Sequence, residues 1–185
     1  MVEAHENNAS RRCADHPEAP VEARVRSEKN KEGFNMRLFR RDKPEESDAP
    51  LTDEWQVSEG KHGDNRLITS FRTGARGLVG SPRYTIRIGI AVPFLGPDPE
   101  GMPASDELAQ LVAFEDAVTD RAGDKAVLVG VITTGGMREF VLYIGSGEWI
   151  PAFHEDLKAV LPTHDVQMVA ETDPKWSVYR QFVPK

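Results

Sequence analysis

Apolar residues downstream of about residue 55 fall into two rhythms, one of period two and one of helical spacing. Tyr84 to Val92 alternates cleanly: Tyr84, Ile86, Ile88, Ile90 and Val92 face one way, and Thr85, Arg87, Gly89 and Ala91 the other. That is the signature of a half-buried strand. Trp55–Glu59 and Arg66–Arg72 read as two earlier strands separated by the turn-rich GKHGDN, with Leu67, Thr69 and Phe71 on one face of the second and Ile68 on the other. The Gly-rich RTGARGLVGSP that follows predicts a flexible loop. Its spacing matches neither a dinucleotide fingerprint nor a Walker loop, so it offers no phosphate cradle.

Residues 129–143, VGVITTGGMREFVLY, place two apolar runs around Gly135-Gly136, a pair suited to a primed hairpin turn. The implied register sets Thr134 against Met137 and Thr133 against Arg138. It then makes one apolar face of Val131–Phe140, Val129–Leu142 and Val127–Ile144. The other face pairs Ile132–Glu139, Gly130–Val141 and Leu128–Tyr143. A slip of one residue would mix the two faces. The Pro-rich PFLGPDPEGMPAS leads into a helix with Ser105 as N-cap and Asp106 and Glu107 at the positive end of its dipole. Leu108, Leu111, Val112, Val118 and Ala122 form its apolar stripe, and Gly123 stops it. A second helix starts at Pro151, buries Phe153, Leu157, Val160 and Leu161, and ends at Pro162. His164–Ala170 is the last strand, and DPKWSVYRQFVPK closes the chain. From Tyr84 the order is β-α-β-β-α-β. The expected fold class is α+β, a ferredoxin-like split βαβ with an antiparallel sheet and two helices on one face, preceded by an extra hairpin.

Residues 1–50 keep no such rhythm. They are rich in Glu, Arg, Asn, Ala and Pro and poor in large apolar residues, which predicts a disordered polar tail ahead of a single domain over 51–185. Within the tail, KEGFNM at 31–36 can be encoded by ribosome-binding-site codons followed by Met36. A start at Met36, with 1–35 as an over-long gene start, is one expectation; a plain tail is the other.

Charge sharpens the picture. The whole chain carries a net −7, and residues 51–185, with 13 Lys/Arg and 19 Asp/Glu, carry −6 of it. An acidic body disfavours nucleic-acid phosphates. The single cysteine, Cys13, lies in the tail, and the five histidines lack HxxxH or HxH spacing, so no metal or cofactor is implied. The N-terminus has no apolar signal core and no run is long enough to span a bilayer, so the expected location is cytoplasmic, without membrane contact.

Three blocks carry a resemblance: PASDELAQLVAFEDAV, GVITTGGMREFVLYIGS and DPKWSVYRQFVP. Together and in this order they resemble the bacterial domain-of-unknown-function family 695, over roughly residues 53–184. Val131 and Val141 depart from the family phrase, which favours Arg and an aromatic there. The resemblance implies a small α/β fold without an established activity. Related domains are similar to a regulator that inhibits ribonuclease E through protein contact, an analogy of fold alone.

Candidate chemistry is sparse. Arg138 and Glu139 sit just past the hairpin turn, Glu115 falls among the apolar positions of the first helix, and Trp176 and Tyr179 follow Asp173-Pro174; these five form the candidate functional cluster. Glu139 shares its sheet face with Arg87, so a cross-strand ion pair is the structural account of that pair. Arg138 or Tyr179 is the expected donor to Glu115. Leu128, Ile132, Val141, Tyr143 and Arg87 mark a sheet face too apolar for open water, hence a candidate interface unless the first hairpin, the C-terminal segment or a second subunit covers it. The function expected is a non-enzymatic protein-binding or regulatory module whose partner is another protein or a second copy of the chain. A small hydrolase built on Glu115, Arg138, Glu139 and Tyr179 is the alternative, which requires those side chains to converge. An RNA-binding ferredoxin-like domain is the second alternative.

Overall fold

A computed structural model describes residues 50–183. The expectations for the tail and for a start at Met36 lie outside the described residues. The chain forms β1 (Trp55–His62), β2 (Asn65–Arg72), β3 (Ile86–Pro93), α1 (Ser105–Ala122), β4 (Ala126–Thr134), β5 (Met137–Ile144), α2 (Ile150–Val160), β6 (Gln167–Thr172) and α3 (Ser177–Phe182). The strands make one six-stranded sheet in the order β1-β2-β4-β5-β3-β6, and every pair is antiparallel. The fold is therefore α+β, with α1 and α2 packed over the core on one face.

β1 and β2 run longer than their hydrophobic pattern suggests. A two-residue turn, Gly63-Asp64, closes them at His62↔Asn65, so most of GKHGDN is strand rather than loop. Gly63 supplies the positive φ (62°) that such a turn needs at its first position. The Gly-rich connector is also ordered. Thr73–Leu78 is a 3₁₀ turn with Ala75 fully buried, and Gly74 lies so close to Thr52 that a side chain there would collide with it.

The Gly135-Gly136 turn has both residues at positive φ, 58° and 82°, as a primed turn requires. From it the register runs as expected through Thr134↔Met137, Thr133↔Arg138, Ile132↔Glu139, Val131↔Phe140 and Gly130↔Val141. A bulge between Leu128 and Gly130 then shifts the pairing to Leu128↔Leu142, Val127↔Tyr143 and Ala126↔Ile144. One extra residue in one strand exchanges faces beyond it. Leu128 thus joins the helix-side core, while Val127 and Val129 turn to the opposite face, a correction to the uninterrupted register. Gly130 sits at the bulge because the ring of Phe71 occupies the space where its Cβ would be.

The helix-side core is built by Ile88, Ile90, Val92, Phe140, Leu142 and Ile144 under Leu111, Phe114, Val118, Phe153 and Leu157. Two details of α1 differ from its sequence pattern. Its N-cap is Ala104 rather than Ser105, and makes no side-chain cap bond. Leu108 and Val112 are exposed, at 40% and 51%, while Phe114 takes the buried position between Leu111 and Val118. β6 begins at Gln167, three residues later than expected. His164 lies in the preceding turn, where its Nε2 meets Glu107 Oε1 at 3.0 Å and its Nδ1 meets Thr163 Oγ1 at 2.9 Å. The same Glu107 oxygen accepts the Leu95 N–H at 2.6 Å. This buried cluster ties the start of α1 to the end of α2 and to the loop after β3.

The opposite face is sealed by the chain's own C-terminal segment. Trp176, Tyr179 and Val183 pack with Phe71 and Ala75 on Val127, Val129, Val141 and Tyr143. Tyr84, expected with the helix-side isoleucines, precedes β3 and belongs here, edge-on to Trp176.

Candidate functional site

The five residues of the expected cluster separate into three places. Glu115 and Arg138 share the helix side of the sheet. Arg138 is buried at 9% exposure, and its Nε donates to Thr133 Oγ1 at 3.1 Å, across the strand pair that the hairpin register dictates. Burial pulls the guanidinium below its ordinary value, and the Glu115 charge opposes that shift. Burial pushes the Glu115 carboxyl above its ordinary value, Arg138 pulls it back and Asp116 adds to the rise. Of the two donors considered for Glu115, then, Arg138 is the neighbour.

Glu139 lies on the other face. Arg87 Nη1 donates to Glu139 Oε1 at 3.2 Å and Arg87 Nη2 to Glu171 Oε2 at 2.7 Å, so one guanidinium clips β5, β3 and β6 together. Burial lowers the Arg87 pKa, but the bond to Glu171 and the charges of Glu139 and Glu171 outweigh it and leave the group above its ordinary value. Gly89 makes the clip possible: a Cβ there would lie 2.6 Å from Glu139 Oε1 and 3.1 Å from Arg87 Nη1.

Trp176 and Tyr179 form the third place. Trp176 is fully buried and stacks on Tyr143 with centroids 4.0 Å apart and rings 5° from parallel. Its Nε1 donates to the Tyr84 carbonyl at 2.8 Å, while the Tyr179 hydroxyl donates to the Arg72 carbonyl at 2.7 Å. Tyr143 donates to Asp173 Oδ2 at 2.7 Å, and the same oxygen accepts the Ser177 N–H at 2.7 Å. Burial of Asp173 raises its pKa, but its bonds from Ser177 and Tyr143 win and hold it below its ordinary value. Burial, followed by Asp173, pushes the Tyr143 hydroxyl up, and burial does the same to Tyr179. Glu115, Arg138, Glu139 and Tyr179 therefore do not converge, and the geometry assembles no nucleophile–base–acid set from them.

The candidate interface is likewise occupied from within. Val141 and Tyr143 have no exposure and Ile132 packs beside them, all against the C-terminal cluster. Leu128 is in the helix-side core and Arg87 is committed to its two carboxylates.

What stays open is a surface the hydrophobic pattern had hidden. α1 and α2 cover β4, β5, β3 and β6; Trp55 still packs on that core, but among the described residues the rest of β1 lies exposed beyond it. A cleft of about 510 Å³ lies between the C-terminal half of α1, the Trp55–Arg72 end of the β1–β2 hairpin and the start of β4, with Leu51 and Asp53 of the segment before β1 also in its lining beside Glu115, Asp116 and Thr119. Val112 and Leu108 continue the Glu115–Thr119 side of α1 by one and two turns. Val57, paired to Ser70, continues the Trp55 side of β1. Val57 is 69% exposed, so exposed apolar side chains stand on the continuation of both walls, Val57 on β1 and Leu108 and Val112 on α1. The signal in the sequence was the width of the α1 stripe. Leu108 and Val112 widen it beyond the arc that Leu111, Phe114, Val118 and Ala122 fill, and the extra width stays exposed.

The sequence pattern of a family of unknown function, DUF695, matches residues 53–183, essentially the whole described domain, and the chain belongs to that family. No match is found among curated proteins or among solved structures.

Proposed function

We propose that this member of the DUF695 family is a non-enzymatic protein-binding module whose contact surface is the exposed helix side of β1 together with the adjoining flank of α1. The observation that carries the reading is the exposure of Val57 on β1 and of Leu108 and Val112 on α1, which continue, by strand pairing and helix spacing, the two walls of the cleft. Contiguous exposed apolar side chains rimmed by polar groups are the mark of interaction surfaces. The dispersal of Glu115, Arg138, Glu139 and Tyr179 counts against the hydrolase alternative. The acidic balance of 51–185, 13 Lys/Arg against 19 Asp/Glu, counts against the RNA-binding one. We read the strand order β4-β5-β3-β6, with α1 and α2 on one face, as the split βαβ plan, to which the β1–β2 hairpin adds an extension beside β4. On this reading the extension exists to carry the contact surface.

The test is site-specific photocrosslinking in the source cells. A photoreactive side chain at Val57 or Val112 is expected to trap a discrete adduct. One at Asp165, exposed in the turn before β6, is expected to trap none. Absence of any position-dependent adduct overturns the reading.

A further inference from the structure

The turn after α2 and the start of α1 bring a hydroxyl, an imidazole and a carboxylate into line. Thr163 Oγ1 lies 2.9 Å from His164 Nδ1, and His164 Nε2 lies 3.0 Å from Glu107 Oε1. The imidazole has no exposure and the Glu107 side chain only 7%, while Thr163 is exposed. The proton positions follow from the partners. Glu107 Oε1 already accepts the Leu95 N–H at 2.6 Å, so it accepts from the ring as well, and Nε2 carries the hydrogen. In the neutral imidazole Nδ1 then offers a lone pair, and the Thr163 hydroxyl donates to it. A hydroxyl on a base that a third group orients is the arrangement that activates a nucleophile. Other titratable groups around the ring are engaged elsewhere. His154 of α2 meets the Val166 carbonyl at 2.8 Å, and Asp165 accepts from Gln167 Nε2 at 2.7 Å.

A mechanical role accounts for the carboxylate and the ring but not for the hydroxyl. The His164–Glu107 bond joins α1 to the turn after α2. Thr163 and His164 are chain neighbours, so their bond fastens no two elements together. What it does is hold a hydroxyl at the wall of a pocket. That pocket, of about 270 Å³ between α1 and the end of α2, is lined by Thr163 with Gln110, Phe114, Val160 and Leu161. Glu107, Gln110 and Phe114 stand at i, i+3 and i+7, on one face of α1. No charged side chain lines the pocket, which disfavours an anionic phosphoryl donor, and the apolar wall suits a short alkyl chain. Gln110 adds a carboxamide whose N–H can hold a carbonyl oxygen as it gains negative charge.

We infer that Thr163 is an acylation site: with His164 as base and Glu107 orienting the ring, its hydroxyl takes a short acyl group from an activated ester. Thr163 Oγ1 bonds to the donor's carbonyl carbon as its proton passes to His164 Nδ1. The bond from that carbon to the leaving oxygen breaks, the oxygen departs with the electron pair, and Nδ1 gives up the proton to it or to solvent. The product is one ester per chain with its alkyl chain in the pocket. The inference goes beyond the protein-binding reading and uses none of the residues on which that reading stands.

The probe is p-nitrophenyl butyrate added to the full chain, with nitrophenolate release and intact mass followed together and the modified residue located by tandem mass spectrometry. The expected result is a butyryl ester on Thr163, matched by released nitrophenolate, formed at least tenfold faster than on any other hydroxyl. Hydroxylamine should remove it, which distinguishes it from a lysine amide. Thr163→Val keeps the shape of an exposed side chain and removes its hydroxyl, so it is expected to abolish the label with an unchanged circular dichroism spectrum. Thr163→Ser is expected to retain it. His164→Gln and Glu107→Gln are expected to slow labelling at least tenfold. Both groups are buried, so if these variants unfold, the pH profile of the wild-type chain decides. Labelling should rise with pH and reach a plateau as the imidazole loses its proton. A rate proportional to hydroxide throughout would overturn the inference. So would label confined to lysines, Thr163 labelled no faster than other threonines, or a folded His164→Gln variant labelled at the wild-type rate.

Discussion

Trp176 has the only non-glycine φ above zero among the described residues, φ 55° and ψ 47°, and it is also fully buried. A left-handed conformation costs a non-glycine residue about 1–2 kcal/mol. The side chain holds it there through the stack on Tyr143 and the bond to the Tyr84 carbonyl. Trp176→Ala removes the ring and keeps the strain. Truncating a buried Trp costs about 3–5 kcal/mol, to which the lost aromatic stack contributes up to about 1.5 kcal/mol. Trp176→Gly makes the same cavity and releases the strain, so the usual order of Ala over Gly should invert, by about 1 kcal/mol. Trp176→Phe keeps a ring to stack but loses the hydrogen bond and should fall between wild type and Ala, about 1–3 kcal/mol below wild type. Urea unfolding followed by circular dichroism measures all three at constant m-value. An Ala variant more stable than Gly would refute the reasoning, because it would mean that position 176 does not pay for a left-handed backbone in the folded state.

Gly130→Ala places a methyl group into the ring of Phe71 and should destabilise by about 1–3 kcal/mol, as overpacking does; in a Phe71→Leu background most of that increment should vanish, and a full increment there would show that the ring is not the obstacle. Burial is the first cause of the raised Glu115 pKa, so its linkage to folding has the sign opposite to a salt-bridged carboxylate. The protonated form is favoured on folding. The contribution is full below the unfolded pKa and is lost as pH rises through the higher folded one. Glu115→Gln should therefore gain stability relative to wild type as pH rises from the unfolded to the folded pKa. Arg138→Met should push the Glu115 titration, followed by carboxyl-carbon NMR, higher still; a downward move would mean that the two groups do not sense each other.

Much of the helix-side core could be read from the chain because period-two and helical repeats report burial directly: Ile86, Ile88, Ile90 and Val92, the Gly-Gly turn, and Phe153 with Leu157 all stand where their spacing put them. The bulge at Val129 could not be read. Val127, Leu128 and Val129 are three consecutive apolar residues, so either register buries apolar groups, and only the need to fit Gly130 under Phe71 on β2 decides between them. β1 and β2 were cut short because Lys61 and His62 carry no apolar alternation; the two-residue turn keeps them paired regardless. α3 is six residues long, too short for its own periodicity to announce it, and its role is visible only once Trp176 and Tyr179 are seen to seal a face. The same seal explains why the cluster named from the sequence dissolved. Residues conspicuous for aromaticity or charge, Trp176, Tyr179 and Glu139, each had a structural partner that lay far along the chain: Tyr84, Arg72 and Arg87.

The bulge also bears on where a contact surface is possible. By turning Val127 and Val129 to the far face it gives α3 an apolar floor beside Val141 and Tyr143, and that face closes without help from a second chain. The helix side is asymmetric as a result. α1 and α2 have their core over β4, β5, β3 and β6, and on β1 every residue after Trp55 stays exposed. A hairpin that only extended a sheet would keep Val57 polar and α1 would need no Val112, since exposed valines on a strand edge invite pairing with other chains. Val57 and Val112 thus support the contact surface proposed above, while Glu59 and Lys61, interspersed on the same strand as Val57, blunt its edge against indiscriminate pairing.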